Sequence, residues 1–502
     1  MLNNNLLLIP ILFLPVTNAR YNPSILIIGA GPSGIAAATK LLKNNFTNLR
    51  IFEAENRIGG RIRSVKFGDS FIDLGAEWCH GEKDNIVYEM VNQYDVLMHT
   101  NLSYKLVYSN GKYIDDEVYQ GLLDFAENID ASVTNEGTEK NCGNLESVGE
   151  CFQKLFNASF SKKYNTEPQK LRVSLDSKDW LEHYTALYDS TFSLLDLSRK
   201  SDYKRCEGDL RLNWNGRGFK TILELMMQKF PDSSKQLPID NKIFLKKEVT
   251  RISWKGNSTK VLVRCFDDTT VEVDHVIFTP SLGVLKASYK SLFEPSLPAD
   301  KVAAIRNFGF GATFKVAFHF PKTWWNASEL YGFVWSSDDE RRIIADFPEG
   351  PIKNGKSWLT ASVKFFQAEN NPKVLIGFFA AEMVPELEKE SDKVITDGCM
   401  YLFKTFLGAN YTVLEPDAII RSSWYNNRHF RGTYSYESVK GKTNGKRYPQ
   451  MLGMPLEYEN GTPAVLFAGE ATHPYYFSTV HAAIETGYRE ADRLIGLYRQ
   501  KV

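Results

Sequence analysis

The sequence predicts an α/β protein: a discontinuous Rossmann-like domain that binds a dinucleotide, completed by a mixed α+β domain that would hold substrate. Three observations carry this. An apolar run, ILIIGAGPSG at residues 25–34, feeds a G-x-G-x-x-G turn that opens a helical pattern. A second strand pattern, RIFE, ends in an acid, Glu53, about twenty residues beyond the first glycine. Further strand patterns of the same kind return in the middle and near the end of the chain, so the first domain must be left and re-entered.

Each element follows from local chemistry. Gly29 permits the tight turn, Gly31 lets backbone approach a pyrophosphate, and Gly34 lets the helix at about 33–43 pack on the strand. That helix points its N-terminus at the phosphates. Glu53 is placed to accept the ribose hydroxyls. The chain then reads EAENRIGGR. A nicotinamide-binding unit has no use for a second glycine pair and two arginines here, whereas the long ribityl-pyrophosphate of a flavin has. Backbone at Gly59 and Gly60 can pass close to it, and Arg61 can offer a charge-assisted fork to phosphate oxygens. Arg57 or Arg63 alone would read as a solvated loop arginine.

Residues 242–279 supply alternating strands (IFLKKEVTRISW, KVLVRCF, VDHVIFTP) and residues 422–498 the last part of the same domain. Between them lie a mostly helical stretch, about 113–230, and a mixed stretch, about 297–414, with strand patterns such as FKVAFHF and KVLIGFFA. The expected division is 20–99, 236–290 and 418–502 for the cofactor domain, and 100–235 and 291–417 for the substrate domain. The active site belongs where they meet.

At 502 residues and 43% hydrophobic content the chain is long enough for two cores. Lys+Arg and Asp+Glu are both 60, so net charge implies no nucleic-acid partner. Residues 6–15 form a short apolar core, and Thr17-Asn18-Ala19 suits cleavage, so 1–19 reads as a secretory signal peptide and not a membrane anchor. Sequons at Asn45, Asn101, Asn157, Asn257, Asn326, Asn410 and Asn460 fit a secreted glycoprotein. The C-terminal residues RLIGLYRQKV carry no hydrophobic tail and no peroxisomal or retention signal. Of six cysteines, Cys142 and Cys151 are the expected bridge, and no spacing suggests a metal site.

The motif E-x-x-x-R-x-G-G-R, matched by Glu53, Arg57, Gly59, Gly60 and Arg61, resembles the signature of the flavin-containing amine oxidase family. The likeness continues through DLGAEWCHG (73–81), KKEVTRISW (246–254), FTPSLGVLK (278–286), FGFGATFKVAFHF (308–320) and FAGEATHPYYFSTVHAAIETGYREA (467–491). It points to the branch of animal spermine and N1-acetylpolyamine oxidases. The resemblance implies an amine oxidase fold, FAD, a polyamine substrate and O2, with oligomeric state left open.

Within that resemblance, Lys315, flanked by apolar residues and so in need of a partner, stands where the family lysine holds a water against flavin N5. His80 matches a histidine facing the substrate, and Tyr434 one wall of an aromatic cage. Thr479 stands where monoamine oxidases carry the second cage tyrosine. Thr433 stands in place of their flavin-bonding cysteine, so FAD is expected to be noncovalent. Trp424 resembles the tryptophan packed near the flavin, and Val249 the residue whose backbone meets adenine. Gly469 and Glu470 resemble the residues at the ribityl or pyrophosphate region. The final helix would aim its N-terminus at the ring. Asp202 is the nearest match to a carboxylate for the distal ammonium groups. The reading is a secreted polyamine oxidase yielding aldehyde, amine and H2O2, with an L-amino-acid oxidase or a catalytically silent amine-binding protein as alternatives.

Overall fold

Ile25–Ile28 (β1) is buried at every position, which a strand tolerates only when both faces of its sheet are covered. The computed structural model describes residues 22–129, 142–255, 260–441 and 447–499; the expected signal peptide and the Asn257 sequon lie outside them. β1 pairs in parallel with β2 (Leu49–Phe52) on one side and with His275–Phe278 on the other. The sheet has six strands in the order Leu456–Glu457, Pro463–Phe467, His275–Phe278, β1, β2, Ile243–Phe244. Segments hundreds of residues apart therefore lie side by side.

Helix α1 (Pro32–Lys43) begins with proline in its first turn, where the missing N–H costs nothing. A Cβ on Gly34 would stand 2.0 Å from the Gly29 carbonyl oxygen, so only glycine lets α1 sit this close to the turn after β1. The C-terminal helix Val480–Arg499 packs on α1. Its Gly487 allows the approach, since a Cβ there would lie 2.2 Å from the Ser33 carbonyl oxygen.

A second six-stranded sheet runs Ala418–Arg421, Phe314–His319, Val374–Phe379, Ser362–Gln367, Glu329–Val334, Ser103–Tyr108. It is antiparallel except for the last pair. Ala418–Arg421 belongs to it, although the sequence reading assigned residues from 418 onward to the cofactor domain; an edge strand of four residues has no pattern to say which sheet it joins. One face of this sheet rests on an aromatic core that includes Phe318, Phe365 and Phe379. The other face meets Ile72, Leu74 and Trp78 from the nucleotide-binding half.

The predicted helical stretch forms Asp116–Ile129, Val148–Lys163, Pro168–Asp176 and Lys178–Asp189. Ser147 and Glu150 make a reciprocal capping box at the second of these. The expected bridge between Cys142 and Cys151 is present, and the other four cysteines are free and buried. Among the described residues no helix is long and apolar enough to cross a membrane.

Candidate functional site

Three glycine turns converge at the C-terminal end of β1. Gly29, Gly60 and Gly469 all take positive φ, a conformation that disfavours any side chain. A Cβ on Gly60 would lie 3.1 Å from Gly31 Cα, so a side chain on either would fill the gap between the two loops. Glu53 follows β2 and is buried; its carboxylate accepts from the backbone N–H groups of Ala30 (2.7 Å) and Glu55 (2.8 Å). Desolvation by burial raises its pKa above the ordinary glutamate value. The cradle fits a dinucleotide: backbone for phosphates, a fixed carboxylate for ribose. Val249 opens the adjacent strand, tied to Glu53 through the bond from Lys247 N–H to the Glu53 carbonyl.

The two arginines of this motif are held differently. Arg57 donates to the carbonyls of Ile58 (3.2 Å), Gly60 (2.7 Å) and Ile62 (3.2 Å), so it is not a solvated loop arginine but braces the second glycine turn. Arg61 uses Nη1 for both the Thr433 carbonyl (2.5 Å) and Glu470 Oε1 (3.0 Å). Glu470, buried, also accepts from Ser435 Oγ (2.6 Å) and the Ser478 N–H (2.8 Å). It is a latch joining three segments around the cradle. Gly469 donates its N–H to Thr486 on the last helix (3.0 Å).

Lys315 has the partner its burial demands. Its three ammonium hydrogens have three acceptors: the carbonyls of Asp73 (2.6 Å) and Gly75 (3.0 Å), and Glu77 Oε2 (2.7 Å). Lysine and glutamate are 5% and 8% exposed, a buried ion pair across the two halves of the molecule. Trp424 packs beneath the same turn, donating Nε1–H to the Leu74 carbonyl (2.9 Å). Its loop hangs on Glu388, whose carboxylate accepts from three consecutive backbone N–H groups, Trp424, Tyr425 and Asn426.

His80 is exposed at its edge yet crowded by protein, and desolvation lowers its pKa. Its Nδ1 lies 2.5 Å from the Leu210 carbonyl. A carbonyl only accepts, so Nδ1 carries the proton and Nε2 is left as a base. Lys364 is near both His80 and Lys315: its charge depresses His80, and it shares the Phe378 ring with Lys315 at 4.6 and 4.7 Å. Tyr434 donates its hydroxyl to the Leu187 carbonyl (2.7 Å), and its pKa is raised by burial and by Asp189, Tyr203 and Tyr188 nearby. The Tyr188 hydroxyl lies 2.9 Å from that of Tyr184, which packs edge-on to Tyr104. Leu187, which accepts from Tyr434, packs in the same apolar cluster as Phe378, Trp78, Tyr104 and Tyr184, and both lysines lie over Phe378.

Two further assigned residues have partners within the protein. Asp202 pairs with Arg447 (3.5 Å), both partly exposed, beside Tyr475. Thr479 is the cap of the last helix: its hydroxyl donates to the Tyr476 carbonyl (2.6 Å) and accepts from the Ala482 N–H (3.2 Å). Thr433 shares a hydrogen bond with Ser190 and presents no thiol. Glu77, Lys364 and Glu388 escaped the sequence reading. Glu77 sits three residues before His80 within a motif that was noticed; the other two have no local signal.

A family model described as flavin containing amine oxidoreductase matches residues 32–495. The human peroxisomal N(1)-acetyl-spermine/spermidine oxidase is 29% identical, covering 97% of this chain and 98% of its own. Probable polyamine oxidase 5 of Arabidopsis thaliana is 27% identical over 95% of this chain and 98% of its own. A structure of a redesigned putrescine oxidase superposes with a TM-score of 0.63 at 16% identity, over 94% of this chain and 99% of that one, a likeness of fold.

Proposed function

The chain belongs to the flavin-containing amine oxidoreductases, and from that premise we infer that its substrate is a polyamine and that the mature protein is secreted. It is an FAD-dependent amine oxidase. FAD, held by the glycine turns, Glu53 and the segments around Arg61 and Glu470, supplies the two-electron acceptor that amine oxidation requires. The residues of the chain do the rest. His80 offers Nε2 to a substrate N–H, Tyr434 and its neighbours give the carbon chain aromatic walls, and the buried Lys315–Glu77 pair fixes a charge where the two halves meet. The product imine is hydrolysed to aldehyde and amine, with O2 reduced to H2O2.

What supports this reading is a chain matched over 95% or more of its length by polyamine oxidases, in which Lys315, expected to need a partner, is buried against Glu77. The sequons and the leader pattern support secretion. The decisive measurement is a peroxide-coupled assay across spermine, spermidine, N1-acetylspermine, monoamines and L-amino acids. Turnover of polyamines is expected. Turnover of L-amino acids alone would reverse the substrate, and a purified protein without flavin absorbance would remove the activity altogether.

A further inference from the structure

Two lysines, not one, are buried over the Phe378 ring. In the second sheet Lys315 lies opposite Phe378, and Phe378 opposite Lys364, so the three form a row across adjacent strands. Lys315 is fully answered by Asp73, Gly75 and Glu77. Lys364 is not. It is 8% exposed, its ammonium lies 4.6 Å from the ring centres of both Trp78 and Phe378, and among the described residues it makes no hydrogen bond and no ion pair. Aromatic faces attract a cation but accept no directed hydrogen bond as strong as an anion's.

The charged groups around Lys364 leave it in surplus. Glu77 is hydrogen-bonded to Lys315, and its charge also favours the Lys364 ammonium without bonding it. Arg211 adds positive charge, and Glu369 is pushed up to about 7 by burial, its carboxylate already facing Trp78 Nε1 and Thr100 Oγ1. Burial holds Lys364 itself down to about 8. His80 feels the same charge.

We propose that Lys364 is a binding residue for an anionic group on the substrate, so that this site oxidises amines bearing a carboxylate, beyond the simple polyamines inferred above. The carboxylate pairs with the unanswered ammonium, the apolar chain lies against Trp78 and Phe378, and a second ammonium is repelled from this end. The want of an acceptor near Lys315 and His80 separates this from a merely structural lysine, which would have its acceptors in the protein.

The test uses the FAD-loaded enzyme and a matched pair: spermidine, and the analogue whose aminopropyl arm ends in a carboxylate in place of the terminal aminomethyl group. The native enzyme is expected to favour the acid by about tenfold or more in kcat/KM, the low end for one charge-assisted hydrogen bond. Lys364→Met should abolish the preference and Lys364→Arg keep it. A native preference for spermidine, or a ratio unchanged in Lys364→Met, overturns the proposal. Independently of turnover, calorimetric titration with butyrate at fixed ionic strength should show binding to the native enzyme that Lys364→Met loses; no binding, or equal binding, also overturns it. If spermidine yields peroxide and the acid is not preferred, this proposal alone fails; if the acid yields peroxide and no polyamine does, the polyamine reading alone fails.

Discussion

Lys315 and Glu77 show how much a single residue's role depends on its neighbour. Each is affordable inside the protein only because the other is there. Lys315→Met should leave FAD bound but slow oxygen-dependent turnover by at least about tenfold, a modest share of what a positioned group contributes. The same change strands Glu77 and should cost about 3–5 kcal/mol of stability. Adding Glu77→Gln should restore much of the stability and none of the rate, a separation read from urea denaturation beside stopped-flow reoxidation. Unchanged reoxidation in Lys315→Met would remove that role. Lys315 was legible because a lysine in FKVAFHF must be explained. Lys364 was not: in SVKFFQ it reads as the outward residue of an alternating strand, and only the fold reveals that Trp78 covers that side.

At the level of elements, the last helix carries both a cap and a buried base. Thr479 closes its first turn, and His481, one residue inside, is buried beside Cys206. Desolvation holds His481 down to about 3 from its ordinary 6.5. The unfolded chain therefore takes up a proton that the folded chain refuses, so stability should fall as pH drops from 6.5 toward 3. His481→Gln should flatten that limb, seen as a smaller shift of the urea midpoint across the window. An identical pH dependence would show that His481 does not drive it. The β1 turn and Glu53 were readable because their chemistry is local: a turn, a helix start and an acid within one short unit. The pairing of Asp202 with Arg447 was not readable, because Arg447 lies in a segment no spacing connects to it.

For the whole molecule, the first sheet draws strands from the beginning, middle and end of the chain, an arrangement visible in the sequence as recurring strand patterns. The placing of Ala418–Arg421 was not, because which edge a short strand joins is decided by the finished surface. With threonine at position 433, denaturing and filtering the protein should release FAD into the filtrate; flavin retained on the chain would show a covalent link. The six described sequon asparagines are all exposed. Expressed in a secretory cell, the protein should therefore lose apparent mass on treatment with an N-glycosidase.

The Glu470 latch bears on biosynthesis. Arg61 leaves the ribosome early, whereas its partner Glu470, the neighbouring strand Pro463–Phe467 and the helix that packs on α1 are among the last parts made. Until these pieces arrive, α1 lacks the helix that packs on it and the strand His275–Phe278 lacks its outer neighbour. Cofactor loading is therefore a late event, and a ribosome that stops short of residue 460 releases a chain unable to close its cradle.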